Sequence, residues 1–307
     1  MAKAHPSLLQ PRQLAAIVVV ARTGSMHSAA RELGIPQPAL SRLIAASEKT
    51  LGVPLFERSR SGTRPTEAGE RVLRQGAFAL RALEGIAEAA RESLPVVRVG
   101  CIPRVMHVLI PYLLAQLSDG SARFRLRVSV GTSNELVAGL DEANLDFVIG
   151  RRAAPGVSGT KLDAEKLYTE RTVVVGGRDN PLLSGSIHHI RDLVGLPWVL
   201  PKRGFHSRDL LDALIAECGL APIAPVIESN SFESSLSVVA VARFMTIAPE
   251  FAARRFERLS LVRIVRMRPS IGQSPIMLQY RPEQRSHPAF AAFRAAAISA
   301  ARKVHTH

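Results

Sequence analysis

The segment from Leu14 to Thr66 constrains this chain more tightly than any other. It places two short helices either side of a glycine turn and then breaks the run with Gly52-Val53-Pro54. Over residues 8–21 the apolar positions Leu9, Leu14, Ile17, Val18 and Ala21 recur at helical spacing, and Thr23-Gly24 ends the run. Ser25 offers a side-chain oxygen to cap a helix over 26–33. There the small pair Ala29-Ala30 lets another backbone approach, and Gly34 closes the helix. After Ile35 in the turn, a third helix is predicted over 37–50 with Leu40, Leu43, Ile44 and Ser47 facing inward. Two short helices joined at a glycine turn and braced by a preceding helix form a helix-turn-helix unit. Beyond the Gly-Val-Pro break, Leu55 and Phe56 are expected beneath the helices, with 57–64 as a polar hairpin or wing.

Pro65-Thr66 opens another helix, with Thr66 as its cap and Glu67 and Glu70 in the first turn, where the helix dipole favours acids. Its apolar stripe (Val72, Leu73, Leu80, Leu83, Ile86, Ala87) runs to about Leu94 with almost nothing local to cover it. A partner helix is therefore expected, and the segment reads as a dimerisation linker. From Pro95 the texture changes to short β-rich runs alternating with helical ones: strands at 96–100, 124–130 and 145–150, with helices at 105–117 and 135–142. A second set has strands near 172–176, 198–200, 226–228 and 245–248, with helices near 208–217 and 234–241. Such alternation implies a parallel sheet covered by helices on both faces. By pattern alone, the last strand (276–280) and helix (288–300) fit either set.

At 307 residues the chain exceeds what a single core usually supports, so a small domain plus a larger one is expected. Forty Lys and Arg against 26 Asp and Glu give a net charge of +14, which asks for a polyanionic partner without distinguishing DNA from RNA or acidic lipid. Residues 1–66 hold nine basic residues against three acidic ones, so the charge is concentrated at the N-terminal end. Cys101 and Cys218 stand far apart in no metal-ligand spacing, which argues against a disulfide framework or a zinc site and fits a reducing cytoplasm. The N-terminus carries no basic-then-apolar export signal, and the apolar run 14–21 is too short to span a bilayer. A cytoplasmic location with no membrane partner is expected.

The residues Gly24-Ser25, Ala29-Ala30, Leu33, Gln37-Pro38-Ala39-Leu40-Ser41, Leu51-Gly52-Val53-Pro54-Leu55-Phe56-Glu57-Arg58 and Thr66-Glu67-Ala68-Gly69 match in order and spacing. Together they closely resemble the N-terminal signature of LysR-type transcriptional regulators, and the downstream order of segments extends the resemblance over nearly the whole chain. Val99-Gly100, Ile102-Pro103, Val105-Met106-His107 and Val174-Val175-Gly176-Gly177 are similar to the branch that regulates sugar or aromatic-acid catabolism. The resemblance implies a multidomain protein: an all-α winged helix-turn-helix DNA-binding domain over 1–66, then a long linker helix over 67–94 that pairs two subunits. An α/β periplasmic-binding-protein-like effector domain follows over 95–307, with two Rossmann-like subdomains at 95–168 plus 270–303 and at 169–269. It further implies a dimer of dimers (a homotetramer) on bent promoter DNA, contact with RNA polymerase, and no cofactor. Two positions depart from the family pattern. Pro36, where Ser or Thr is common, has no side-chain oxygen to cap the recognition helix, and Ser47 replaces a common Leu on that helix's inner face.

A major groove admits one α-helix, and side chains near its N-terminus read the base edges. Gln37, Pro38, Ser41 and Arg42 occupy that end: Gln37 is suited to pair bidentately with adenine, and Arg42 to reach guanine or a phosphate. Arg58, Arg60 and Arg64 suit phosphates or a narrow minor groove, giving register more than base choice. Ser25 and Ser28 fit backbone contacts. Ordinary solvated residues on a small helical domain would be of the same types. The motif context separates the two readings in favour of DNA contact, by a narrower margin for Arg60, since loop arginines are often only solvated.

In open α/β sheets, ligands bind beyond the carboxyl ends of strands, where helix N-termini present free N–H groups. Ile102-Pro103-Arg104, Thr132-Ser133 and Arg151 follow the first three strands. Arg203, Phe205 and His206, with Ser229, Asn230 and Phe232, hold corresponding places in the second set. A cleft between the subdomains would gather them. Hydroxyls together with Arg104, Arg203 and His206 favour a small anionic effector, a carboxylate or sugar-derived catabolite, with Phe205 or Phe232 as an apolar wall. Plainer readings stand beside these: His206 as a surface-loop histidine, Arg151 paired with an acid, Thr132-Ser133 as a helix cap. Cys101 falls at a strand end beside the cleft. Redox or ligand-independent control through Cys101 is therefore the alternative to effector control, against its plainer role as a small buried hydrophobe.

No Gly-x-Ser-x-Gly, His-Glu-x-x-His or phosphate-loop pattern occurs, and the adjacent His188-His189 would not converge on one ion, so neither a catalytic centre nor a metal site is expected. A periplasmic solute-binding protein would share the α/β fold but not the helix-turn-helix.

Overall fold

The computed structural model describes residues 9–59, 62–89, 94–117, 124–152, 156–158, 161–183 and 188–304. At the N-terminal end α1 (Pro11–Thr23), α2 (Met26–Glu32) and α3 (Gln37–Leu51) enclose Ile17, Val20, Met26, Leu40 and Ile44, with Leu55 closing the core. Ser25 Oγ accepts the Ser28 N–H at 3.4 Å and so starts α2. α3 begins at Pro36 with no side-chain cap. Ser47 is fully buried, and its hydroxyl donates to the Leu43 carbonyl at 2.7 Å, so α3's own backbone satisfies the polar group that thins its inner face.

β1 (Phe56–Ser59) and β2 (Gly62–Pro65) pair antiparallel as the wing. The wing lies hard against the α1–α2 turn. Thr63 N–H donates to the Gly24 carbonyl at 2.9 Å, and a Cβ on Gly62, whose φ is +123°, would stand 2.8 Å from that same oxygen. In the first turn of α4 (Glu67–Ala89), a Cβ on Gly69 would come within 2.1 Å of the Leu55 carbonyl oxygen, so only glycine permits this approach. Thr66 Oγ1 accepts the Gly69 N–H at 2.9 Å and donates to the Pro54 carbonyl at 2.8 Å, joining helix cap to break. The expected extension of α4 to Leu94 falls partly on residues 90–93, outside the described residues.

In the C-terminal part β3 (Val96–Cys101), α5 (Pro103–Val108), α6 (Ile110–Leu117), β4 (Arg125–Val130), α7 (Ser133–Asp141) and β5 (Phe147–Gly150) form a parallel unit in the order β4-β3-β5. The single helix expected over 105–117 is two. Pro111 has no N–H and its ring opposes the carbonyl four residues back, so it is tolerated only in the first turn of a new helix, and the chain turns at Leu109.

There follow β6 (Asp163–Gly177), β7 (His188–His189), α8 (Ile190–Leu193), β8 (Trp198–Leu200), α9 (His206–Glu217), β9 (Ile227–Glu228), α10 (Phe232–Val241) and β10 (Met245–Pro249). The chain ends with α11 (Glu250–Arg258), β11 (Val262–Val265), β12 (Met267–Arg268), β13 (Gly272–Tyr280) and α12 (Pro288–Val304). Among the described residues, nine strands form one sheet ordered β4-β3-β5-β13-β6-β10-β8-β9, with β11 also pairing β6. This corrects the expectation of a parallel sheet: β13 runs antiparallel to β5 and β6, and β6 runs antiparallel to β10 and β11. The strand expected from Thr172 in fact begins at Asp163. Along it Tyr168, Glu170, Thr172 and Val174 alternate inward, and because two of these four are polar the period-two signal does not show as hydrophobicity.

Phe293, Ala297 and Ala300 of α12 are buried with Val97, Val99, Phe147 and Leu278, so the last helix covers the first unit. Trp198, Leu211, Ile215, Met245 and Ile247 form a second core, and Val175, Leu236, Val239 and Ala253 a third. His188 and His189 pair with β12. Among the described residues no group of three His, Cys, Asp or Glu is placed to hold a metal, and no helix is long and apolar enough to cross a membrane.

Candidate functional site

A cavity of about 760 Å³ opens where the carboxyl ends of β3, β4 and β5 meet those of β8 and β10. The sequence-predicted residues converge on it from four helix starts. Ile102, Pro103 and Arg104 lead into α5, Thr132 and Ser133 into α7, Arg203, Phe205 and His206 into α9, and Asn230 and Phe232 into α10; Arg151 follows β5. Ser229 is not on the wall. Its N–H donates to the Leu200 carbonyl at 2.9 Å and its hydroxyl to the Ser231 carbonyl at 3.3 Å, so it shapes the turn instead.

The arginines on the wall differ in what they leave available. Arg104, with 11% of its side chain exposed, is ion-paired to the buried Glu170, so its charge is matched inside the protein. Arg151 is not paired in this way. Burial, and after it the charge of Arg104, push its pKa down to about 10, which still leaves it charged near neutrality. Its Nη1 is buried with no hydrogen-bond partner among the described residues, and so is Ser133 Oγ on the same cavity wall. A buried donor left unsatisfied costs about 1–3 kcal/mol, more when charged, and a ligand oxygen would relieve it. Arg203 is exposed at the rim.

His206 Nε2 lies 2.6 Å from Ser274 Oγ on β13. Burial, then the charges of Arg151 and Arg104, lower its pKa to about 4, against an opposing influence from Asp209. The ring is therefore neutral near pH 7 and adds no positive charge to the cavity. Thr132 is taken up by the cap of α7: Glu135 Oε2 accepts its N–H at 2.9 Å and its hydroxyl at 2.8 Å, which holds the Glu135 carboxyl below its ordinary range. Cys101, one residue before the wall begins, is fully buried, and burial pushes its thiol up to about 11.

Sequence reasoning missed Arg152, Asp209 and the Ile247-Ala248-Pro249 end of β10, all on the wall. The strand-end rule applied to 245–248 finds the last three. Asp209 looks like any acid in a first helical turn, and the dipole alone accounts for it.

At the N-terminal end Gln37, Pro38 and Arg42 are exposed on the first turns of α3, with Ser41 half-buried among them; Arg64 is exposed on β2. Ser25 and Ser28 are half-buried at the start of α2, where the Ser25 hydroxyl is engaged in its cap. The Arg58 backbone pairs with Thr63, while the Arg58 side chain and the whole of Arg60 lie outside the described residues. Glu48 carries no signal in the sequence. Its Oε1 accepts the N–H groups of Leu55 at 2.8 Å and Phe56 at 3.3 Å.

Residues 11–70 match the family model for the bacterial regulatory helix-turn-helix protein, lysR family, and residues 90–302 match that for the LysR substrate binding domain. Over 226 residues, 72% of the chain, the protein is 31% identical to the HTH-type transcriptional regulator GalR of Pseudomonas putida, and it spans 56% of that relative's length. It superposes on the crystal structure of ArgP from Mycobacterium tuberculosis with a TM-score of 0.72 at 22% identity, covering 96% of this chain and 97% of that one. On full-length CbnR, crystallised in complex with its target DNA, the TM-score is 0.51 at 23% identity, with 95% and 99% covered.

Proposed function

The chain belongs to the LysR family of transcriptional regulators, DNA-binding proteins with an effector-binding domain and not enzymes, and we propose that its effector is a small carboxylate held by Arg151 and Ser133. The observation that carries this reading is the pair of buried polar atoms, Arg151 Nη1 and Ser133 Oγ, without partners among the described residues on one cavity wall. A carboxylate matches a guanidinium in charge and planar geometry, and its second oxygen suits a hydroxyl donor. Phe205 and Phe232 supply the apolar side, as a sugar-derived or aromatic catabolite would require. Arg104, Arg203, His206 and Asn230 shape the cavity around that anchor. Cys101 gives no support to redox control, because its thiol is buried and held protonated.

A thermal-shift screen of carboxylate catabolites tests the reading. A ligand at about 100 times its Kd stabilises the fold by about 2.7 kcal/mol. At least one acid is expected to raise the melting temperature of the wild type and to lose that effect in Arg151→Met. No shift with any carboxylate, and DNA binding that tracks oxidant instead, would sink it.

At the other end, Gln37, Pro38, Ser41 and Arg42 are proposed to read the major groove, Arg58, Arg60 and Arg64 to hold phosphates, and Ser25 and Ser28 to touch the DNA backbone. Arg42→Ala is expected to weaken specific binding by about tenfold or more; an unchanged footprint and site preference would remove this assignment. The proposed organisation is 1–66 for DNA, 67–94 as linker, and 95–168 plus 270–303 against 169–269 as the two halves of the sensor. The separate hydrophobic cores support it. Leu83 and Ile86, exposed on α4, support pairing of two subunits through that helix, from which a dimer of dimers would assemble. Contact with RNA polymerase and a cytoplasmic location complete the proposal.

A further inference from the structure

Asp209 is an acid on the cavity wall that the carboxylate reading does not use. It stands in the first turn of α9, three residues past His206, where its Oδ1 accepts the Gly204 N–H at 3.1 Å. Its charge acts on Arg151 and on His206 alike, opposing burial at each, and all three line the same cavity. An unsubstituted carboxylate bound at Arg151 would gain nothing from a second carboxylate there and would be repelled by it. A ligand hydroxyl is different. An ionised carboxylate has about four acceptor sites, of which the Gly204 N–H takes one, and a hydroxyl would donate to another.

Net charge separates a hydroxyl from an ammonium as the donor. Arg104, Arg151, Arg152 and Arg203 stand against Glu135, Asp209 and Arg104's partner Glu170, which leaves the cavity one positive charge in excess with His206 neutral. A hydroxylated monoanion balances that excess, whereas a zwitterionic amino acid leaves it standing. Resting on the carboxylate reading above, we infer that Asp209 makes the site selective for hydroxycarboxylates, with the ligand carboxylate at Arg151 and Ser133 and a ligand hydroxyl donating to Asp209.

Calorimetric titration of the full chain with two matched pairs tests this: quinate against cyclohexanecarboxylate, and gluconate against hexanoate. The hydroxylated member of at least one pair is expected to bind about tenfold tighter or more, the scale of one hydrogen bond to a charged acceptor. Asp209→Asn keeps an oxygen for the Gly204 N–H, so the melting temperature should hold. The preference should fall below about threefold while the plain acid binds at least as well as before. A merely structural Asp209 would leave the preference intact. Tighter binding of the plain acids by the wild type, or a preference that survives Asp209→Asn, overturns the inference and leaves the carboxylate reading standing. If none of the four acids binds the wild type, the inference falls, while the carboxylate reading stands or falls with the broader thermal-shift screen; if Arg151→Met abolishes binding of plain and hydroxylated acids together, the anchor on which the inference rests is supported.

Discussion

Glu48, near the end of α3, accepts the backbone N–H groups of Leu55 and Phe56 at 2.8 and 3.3 Å, so one carboxylate ties the proposed reading helix to the wing. Leu55 is fully buried between them, which fixes the height at which the wing leaves the core. Glu48→Ala strands two N–H groups and is expected to cost the N-terminal module about 1.5–3 kcal/mol. With the wing loosened, the arginines proposed to hold phosphates should release them, and the salt dependence of DNA binding should fall by about one unit of slope for each phosphate no longer neutralised. A gel-shift series over salt concentration reads this. A wild-type slope in Glu48→Ala would mean that the wing is positioned by Gly62 and Gly69 alone.

The N-terminal module is legible in sequence because glycine punctuates its helix ends: Gly24, Gly34 and Gly52, all at positive φ, follow within two residues the ends of α1, α2 and α3, and Pro54 lies in the break before β1. Glu48 escapes notice because its partners are backbone groups, which carry no residue signature. In the C-terminal part the strand ends are legible and eleven predicted residues reach one cavity, since the location of ligand sites follows from βα geometry. The antiparallel crossing by β6 and β13 is not legible, because inward Glu170 and Thr172 break the hydrophobic period. Nor is the division of labour among the arginines. Arg104 finds Glu170 sixty-six residues away, while the isolation of Arg151 Nη1 is a property of packing.

Cys101 should be chemically silent in the folded protein. The thiolate is the reactive form, and a thiol held near 11 by burial is ionised only at about one part in several thousand near pH 7.5. Titration with a disulfide reagent should label the partly exposed Cys218 first and Cys101 only after denaturation. Cys101→Ala should leave DNA binding indifferent to peroxide, as in the wild type. Fast native labelling of Cys101, or a peroxide response that vanishes in the variant, would falsify effector control as the only input.

His206 makes stability depend on pH in a defined window. In the unfolded chain the imidazole titrates near 6.5, and in the folded one near 4. Between these values the unfolded chain takes up a proton that the folded chain refuses, so stability is whole above about 6.5 and falls as pH is lowered toward 4. Subtracting the melting curves of His206→Gln from those of the wild type isolates this residue from the other histidines. The variant should show a shallower fall in that window. A bound carboxylate at Arg151 would favour the protonated ring, so ligand should reduce the wild-type slope as well. Parallel curves for the two proteins would place the ring in solvent.

Arg281, the residue after β13, sets its guanidinium 5.3 Å from the ring centroid of Phe78 on α4 and donates from Nη1 to the Leu140 carbonyl at 2.7 Å. Leu140 lies in α7, whose first residue is Ser133 on the cavity wall, and Gln279, two residues before Arg281, donates to the Arg151 carbonyl at 3.1 Å. A continuous set of contacts thus joins the proposed anchor to the helix that leads into the DNA-binding module. Adjacency of this kind is not coupling until an energy is shown to pass through it. A largely desolvated cation over an aromatic face contributes about 0.5–2 kcal/mol, enough to bias how tightly α4 docks. Phe78→Leu and Arg281→Met should each speed hydrogen exchange in α4 around residue 78, and the double variant should exchange no faster than the quicker single, because both remove the same interaction. If coupling runs through this pair, either variant should also bind carboxylate and DNA separately as the wild type does, yet lose the change in DNA affinity that the ligand produces. Additive exchange rates with the ligand response preserved would show that the cavity reaches the DNA by another route.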